Sequence, residues 1–419
     1  MRTLSCGVAF GLALTLSAAK AEPATHDALI QALRAQRMDI ALVDGRLSGP
    51  GAQWLQRETP SAQFVLIGEE HATAEIPQFA AALWRDLAAQ GVQHLVLEAG
   101  PWSLRMREKE AQQGDDGIAK LNRTYPMELP FFAWREDGAL ALAAVQSSKH
   151  APALWGIDQE FLLSLPLHFD HLAAAAPDKA ARALAQSHRE KAVAAYAEMA
   201  AKHDFNANYM ARMTASDFAA LRQAFAKAPA DTRDLIDALE QSAHVYRDQN
   251  DKPYDSNLAR SQMMKRTFMA HYRAAQKKEP QPRAMFRLGA FHSIRGLGPR
   301  NLLDIGNLAT ELAASNGSRS LHILVVPGGG EINRWFPFVD DDAARHTPYD
   351  AKQELGEVGA LPLLEASTTG ESWSLFPTEW LRTQRALRQV GGADFERAVF
   401  GYDAVVVIPR VHAATFYGE

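Results

Sequence analysis

Residues Phe64 to Gly100 read FVLIGEEHATAEIPQFAAALWRDLAAQGVQHLVLEAG, and this stretch decides the fold. The unbroken apolar run Phe64-Val65-Leu66-Ile67 has the length and composition of a buried strand. It stops at Gly68 and delivers Glu69, Glu70 and His71 together. Apolar residues then recur at helical spacing from about Ile76 to Gln90. A second apolar run, His94 to Leu97, ends on Glu98. Strand, helix and strand in this order form a β-α-β unit, the building block of a parallel sheet. In open sheets of this kind, ligands bind at the carboxyl ends of the strands. Both strands carry ionisable groups at that end, so this unit is the expected active site.

The rest of the chain extends the pattern. A third strand, Ala153 to Ile157, ends on Asp158, with Glu160 two residues later. Helical periodicity then dominates from Leu172 to Gln276, and about a hundred residues is more than a normal crossover needs. Residues 161–280 are therefore expected to form a helical insertion or cap over the carboxyl edge, with Lys277 to Arg283 as its exit linker. Further strands are predicted at Ala284 to Leu288, Leu321 to Val326 and Ala404 to Ile408. Helices are predicted at Thr25 to Gln36, after Asn301, and at Pro377 to Val390. Asn333 to Ser374 is polar and turn-rich, without a periodic signal. The aromatic and proline-rich segment Tyr125 to Glu136 fits either a packing connection or the wall of a substrate cleft. The expected fold class is α/β: a mainly parallel sheet flanked by helices, its halves at 22–160 and 281–419, with a large helical insertion between them.

Composition narrows the setting. The chain opens MRTLSCGVAFGLALTLSAAKAEP, which reads as a signal peptide over residues 1–21 with cleavage after Ala21. The protein is then expected to be periplasmic or secreted, with no membrane span in the mature chain. The single cysteine, Cys6, lies inside that leader, so no disulfide or thiolate site is expected. The 44 basic and 49 acidic residues contain no basic tract, which argues against nucleic acid as a partner.

Two predicted strands end in the same spacing, Gly68-x-x-His71 and Gly289-x-x-His292. With 27 Gly and 14 His, roughly one such spacing arises by chance, and Gly91-x-x-His94 is a third. Position separates them. The first two directly follow a strand, where glycine permits a tight turn and the histidine reaches the edge crevice. Gly91-x-x-His94 precedes its strand, at the opposite edge. Two imidazoles and several carboxylates at one edge suit either a general acid/base set or a divalent metal such as Mn, Co or Zn. His71 is the expected base or ligand, with Glu69 or Glu70 orienting it. Glu98 and His292 complete the set, and the same His71, His292 and Glu98 would hold a metal. Arg295 and Asp158 are expected to bind substrate, the arginine by clamping an anionic group. Arg287, inside a strand, is expected to pair with a buried acid. No Gly-x-Ser-x-Gly elbow, no His-Glu-x-x-His and no dinucleotide fingerprint occurs. Water activated by histidine and carboxylate, with or without a metal, is the chemistry that remains.

VLIGEEHATAEIPQF followed by HLVLEAG resembles the opening of the erythromycin esterase-like proteins and their ChaN, TraB and Tiki relatives. YPMELPFFAW and YDAVVVIPRVHAAT are similar to later segments of the erythromycin esterases. The Glu-Glu-His run is nearer to the ChaN-like form. The resemblance places paired Gly-x-x-His motifs at Gly68/His71 and Gly289/His292, with the acid after the second strand at Glu98. It implies hydrolysis of an ester or peptide substrate by His and Glu, with or without a divalent metal. Its alternative outcome is haem or metal binding without catalysis.

Overall fold

A computed structural model describes residues 24–126, 133–202, 204, 207–333, 345–368 and 370–417. The leader with Cys6 and Ala21, and residues 127–132 of the Tyr125–Glu136 segment, lie outside the described residues. Eleven strands are described: β1 (Met38–Val43), β2 (Arg46–Ser48), β3 (Ala62–Glu69), β4 (His94–Leu97), β5 (Leu154–Gly156), β6 (Ala284–Gly289), β7 (Arg319–Pro327), β8 (Glu331–Asn333), β9 (His346–Pro348), β10 (Trp373–Pro377) and β11 (Ala404–Ile408). Nine of them form one sheet in the order β2-β1-β10-β11-β7-β3-β6-β4-β5. The six from β11 to β5 run parallel, and β10, β1 and β2 continue the sheet antiparallel.

β3 is buried throughout because both faces of the sheet are covered. Val65 and Ile67 pack with Phe79, Leu83 and Trp84 of the Glu75–Ala89 helix. Phe64 and Leu66 face the other way, toward Phe268 and Tyr272 of the Pro253–Ala275 helix. This two-sided burial is why the run is continuously apolar rather than alternating. Strand order reverses at β3: the chain goes to β4 and β5 on one side, returns to β6 beside β3, then continues to β7 on the other side. The crevice at the carboxyl end of β3 is therefore the topological switch point of the sheet.

Between β5 and β6 the described chain passes through six helices, from Leu165 to Ala275. They bury a core of their own, with Phe169, Leu172, Met199, Phe218, Leu221 and Leu235 at its centre. The last of them, Pro253–Ala275, returns along the sheet. Among the described residues no helix is long and apolar enough to cross a membrane.

Elements near the ends of the chain differ most from expectation. β1 carries the short apolar run Ile40-Ala41-Leu42-Val43, which sequence reasoning missed; β2, three residues long, closes the sheet edge beside it, and Asp39 and Val43 are exposed. The helix expected at Pro377–Val390 begins later, at Arg385, after β10 and a short 3₁₀ turn over Glu379–Thr383. Pro377 closes a strand that is hydrogen-bonded to β11.

Phe64 meets Phe268, Tyr272 and Phe286 edge-on, at ring-centroid distances of 5.8, 6.0 and 5.7 Å. Phe64→Ala is expected to destabilise the protein by about 3–5 kcal/mol, through lost contacts and a residual cavity. Denaturant titration followed by tryptophan fluorescence checks this.

Candidate active site at the carboxyl edge of the sheet

β3 ends on Glu69, whose side chain is buried beneath His71. Glu69 Oε1 lies 2.9 Å from His71 Nδ1. Its Oε2 accepts from Arg287 Nε at 2.6 Å. Arg287 stands on β6 level with Ile67 and also bonds Asp137, in the first turn of the Arg135–Ser147 helix. One buried guanidinium thus holds two carboxylates. Burial lifts Asp137 to about 6 against the pull of Arg287. The strand-borne arginine does pair with a buried acid, and one of its partners is the acid that orients His71.

The turn carrying His71 is shaped by Ala72, at a left-handed φ of 67°, and not by Gly68. Gly68 stays within β3. A side chain there would press on Tyr402 Oη at 3.0 Å and Ser293 Cβ at 3.2 Å, so its role is close packing. The turn is stitched to distant chain. Ala72 O accepts from the amides of Asn333 at 3.0 Å and Ala414 at 3.2 Å, and Ala74 N donates to His412 O at 2.9 Å.

Glu98, just past β4, is the hub. Its Oε2 accepts from the Gly289 amide at 2.7 Å, and its Oε1 accepts from Arg260 at 2.7 Å. His71 Nε2 lies 3.8 Å from Oε2, and His292 Nε2 lies 3.5 Å from Oε1. Glycine at 289 leaves room for this approach: a Cβ would sit 3.2 Å from both Glu98 Oε2 and His71 Nε2, tight enough to press on both side chains. His292, in the single helical turn Ala290–Ser293, is held through Nδ1 by Asp304 Oδ2 at 2.8 Å. Arg260 reaches in from the Pro253–Ala275 helix and also grips Asp158 at 2.9 and 2.5 Å.

The electrostatics follow from these contacts. Burial would push the Glu98 carboxyl up, but His292, Arg260, His71 and the Gly289 amide together hold it well below the usual carboxylate range. Burial disfavours the His71 imidazolium, yet the Glu69 hydrogen bond and the charges of Glu98, Glu69 and Glu70 outweigh it and raise the pKa above 6.5. Asp304 is lowered: burial opposes ionisation, and the bond to His292 overcomes it.

The structure brings His71, Glu69, Glu98, His292 and Asp158 into one connected network. Glu70 stands beside it, half-buried, and adds its charge to the field at His71. Arg295 is not part of it. Its guanidinium lies on Asp403 at 2.8 Å, at the amino end of β11, and Arg382 shares that acid. Asp158 is occupied by Arg260 and so serves to position it. Glu160 accepts from the amides of Trp102 at 2.8 Å and Ser103 at 3.2 Å, capping the Pro101–Ala111 helix, and meets His168 at 2.8 Å. Sequence reasoning missed Arg260, Asp137 and Asp304. Arg260 rides a helix with many charged residues, and no local pattern marks it out. The residues do not fit a metal as they are arranged. Both Glu98 oxygens are engaged by a guanidinium and an amide, and among the described residues no group of three His, Cys, Asp or Glu side chains is placed to hold an ion.

A histidine whose pKa is raised on folding adds stability that is fully present below 6.5 and is lost as pH climbs through the folded value. The His71 ring, followed by NMR, is expected to titrate with a midpoint above 6.5. Glu69→Gln and Glu98→Gln should each move that midpoint down, since each removes a negative charge beside the ring.

No family model and no curated protein matches the chain. Solved structures do match it. A protein from Bacillus cereus aligns over 94% of this chain and 100% of its own, at 14% identity and a TM-score of 0.55. A mutant of the erythromycin esterase EreC in its open conformation aligns over 86% of this chain and 94% of its own, at 14% identity and a TM-score of 0.53. A succinoglycan biosynthesis protein aligns over 93% of this chain and 98% of its own, at 12% identity and a TM-score of 0.53. These alignments, each over 86% or more of this chain, show that the chain has the erythromycin esterase-like fold.

Proposed function

We propose that this protein is an exported hydrolase that cleaves an ester or peptide bond with water activated by His71. The observation that carries the reading is the buried Glu69–His71 pair at the carboxyl end of β3. Glu69 fixes Nδ1 as the donor, which leaves Nε2 to act as the base beside Glu98 and Gly289. His71 Nε2 takes a proton from water while the water oxygen bonds to the substrate carbonyl carbon. The same proton then passes to the leaving oxygen or nitrogen as its bond to carbon breaks. Glu98 stabilises the transient imidazolium, and Arg260 keeps Glu98 in place. His292, braced by Asp304, stands across Glu98 as the second imidazole of the site. The fold shared with an erythromycin esterase supports an acyl-transfer role.

His71→Ala and His292→Ala should each lower turnover of an ester and peptide panel by roughly 10²–10⁴-fold, the usual worth of a positioned acid or base. Circular dichroism should show both variants folded. Full turnover in both would sink the assignment. Because the base must be neutral to accept a proton, wild-type turnover is expected to rise with pH through the neutral range, following the raised pKa of His71.

A further inference from the structure

The anion clamp expected at Arg295 is absent there, yet a different arginine stands where one would serve. The chain between His292 and its partner Asp304 forms a closed loop. Leu297 and Leu303 bridge across it, Gly298 N donates to Leu302 O at 2.9 Å, and Asn301 N donates to Gly298 O at 2.9 Å. Asn301 turns the tip at a φ of 58°. Arg300 sits at that tip, exposed, with its guanidinium 5.1 Å above the ring of Phe291, the neighbour of His292. Its one side-chain hydrogen bond among the described residues is to Asn257 Oδ1 at 3.2 Å. Asn257 is three residues before Arg260 on the Pro253–Ala275 helix, and residues three apart share a helix face. Arg300 therefore lies over the side of the site where Arg260 holds Glu98.

The surrounding acids leave this cation available. Glu98 and Asp158 are bonded to Arg260, and Asp304 is bonded to His292. Among the described residues no carboxylate forms an ion pair with Arg300. It still feels the site: desolvation and then the Arg260 charge lower its pKa, while Glu98, Asp304 and Asp158 pull the other way. The loop beside it is apolar, with Leu297 and Leu303 each about half exposed. A guanidinium fork on an aromatic platform, flanked by leucines, suits a planar anion attached to an apolar body.

Resting on the hydrolase reading above, we infer that Arg300 is the substrate-anion residue of this site and that the substrate carries a carboxylate beside an apolar group. The test is calorimetric binding to the full chain, with phenylacetate as the anionic probe and phenylacetamide as its neutral counterpart. Wild type is expected to bind phenylacetate roughly five- to tenfold tighter, the scale of a partly exposed charge-assisted pair. Arg300→Met should erase that ratio, and Arg300→Lys, which keeps the charge without the fork, should retain part of it. Equal affinities in wild type, no binding of phenylacetate, or a preference that survives in Arg300→Met would each overturn the proposal. Binding needs no turnover. A chain that discriminates between the probes but hydrolyses nothing would count against the hydrolase reading alone.

Discussion

The site depends on one buried carboxylate. Glu98 lies behind the two imidazoles, almost wholly out of water, and an isolated charge there would be prohibitively costly. It survives because three other parts of the chain supply its partners. The end of β6 and the turn after it bring the Gly289 amide and His292, the turn after β3 brings His71, and the Pro253–Ala275 helix brings Arg260. Each interaction is ordinary in strength. Their convergence is what turns a sheet edge into a place where a charge can be stored and used.

Arg260 gives this arrangement a mechanical side. The helices between β5 and β6 have their own core, and one of them sends a cation into the sheet's crevice. Taking that cation away would leave Asp158 without its guanidinium and Glu98 without one of its partners, and unpaired buried charges are far more destabilising than an intact pair is stabilising. The helical region and the sheet edge therefore form one electrostatic unit. Arg287 plays the matching part beneath His71, tying Glu69 to Asp137.

The legible parts were those in which burial writes a strong local pattern. β3, the Glu75–Ala89 helix and β4 could be read within a residue or two, because a strand covered on both faces must be apolar throughout. His71, Glu69, Glu98 and His292 could be read for a related reason: an ionisable group directly after such a strand has only the crevice to enter. The three-residue edge strand β2 left no such trace, and the run Ile40-Ala41-Leu42-Val43 of β1 is short and only partly buried. Arg260 and Asp304 could not be found because their importance lies in what folding sets opposite them, across 162 residues for Arg260 and Glu98. Arg295 shows the converse. Expected to clamp an anion, it is instead delivered to Asp403 where the chain turns after Ser293, while Arg300 appears at the next turn.

The stitched turn after His71 also imposes an order in time. Ala72 and Ala74 are held by Asn333, His412 and Ala414, residues synthesised long after β3. A nascent chain can build β3, β4 and the helices between them early, since those contacts are nearer in sequence. It cannot fix the geometry of His71 until the final strand and the segment beyond it have emerged. The imidazole is thus among the last groups set in place, and a half-made chain carries its residues without their arrangement.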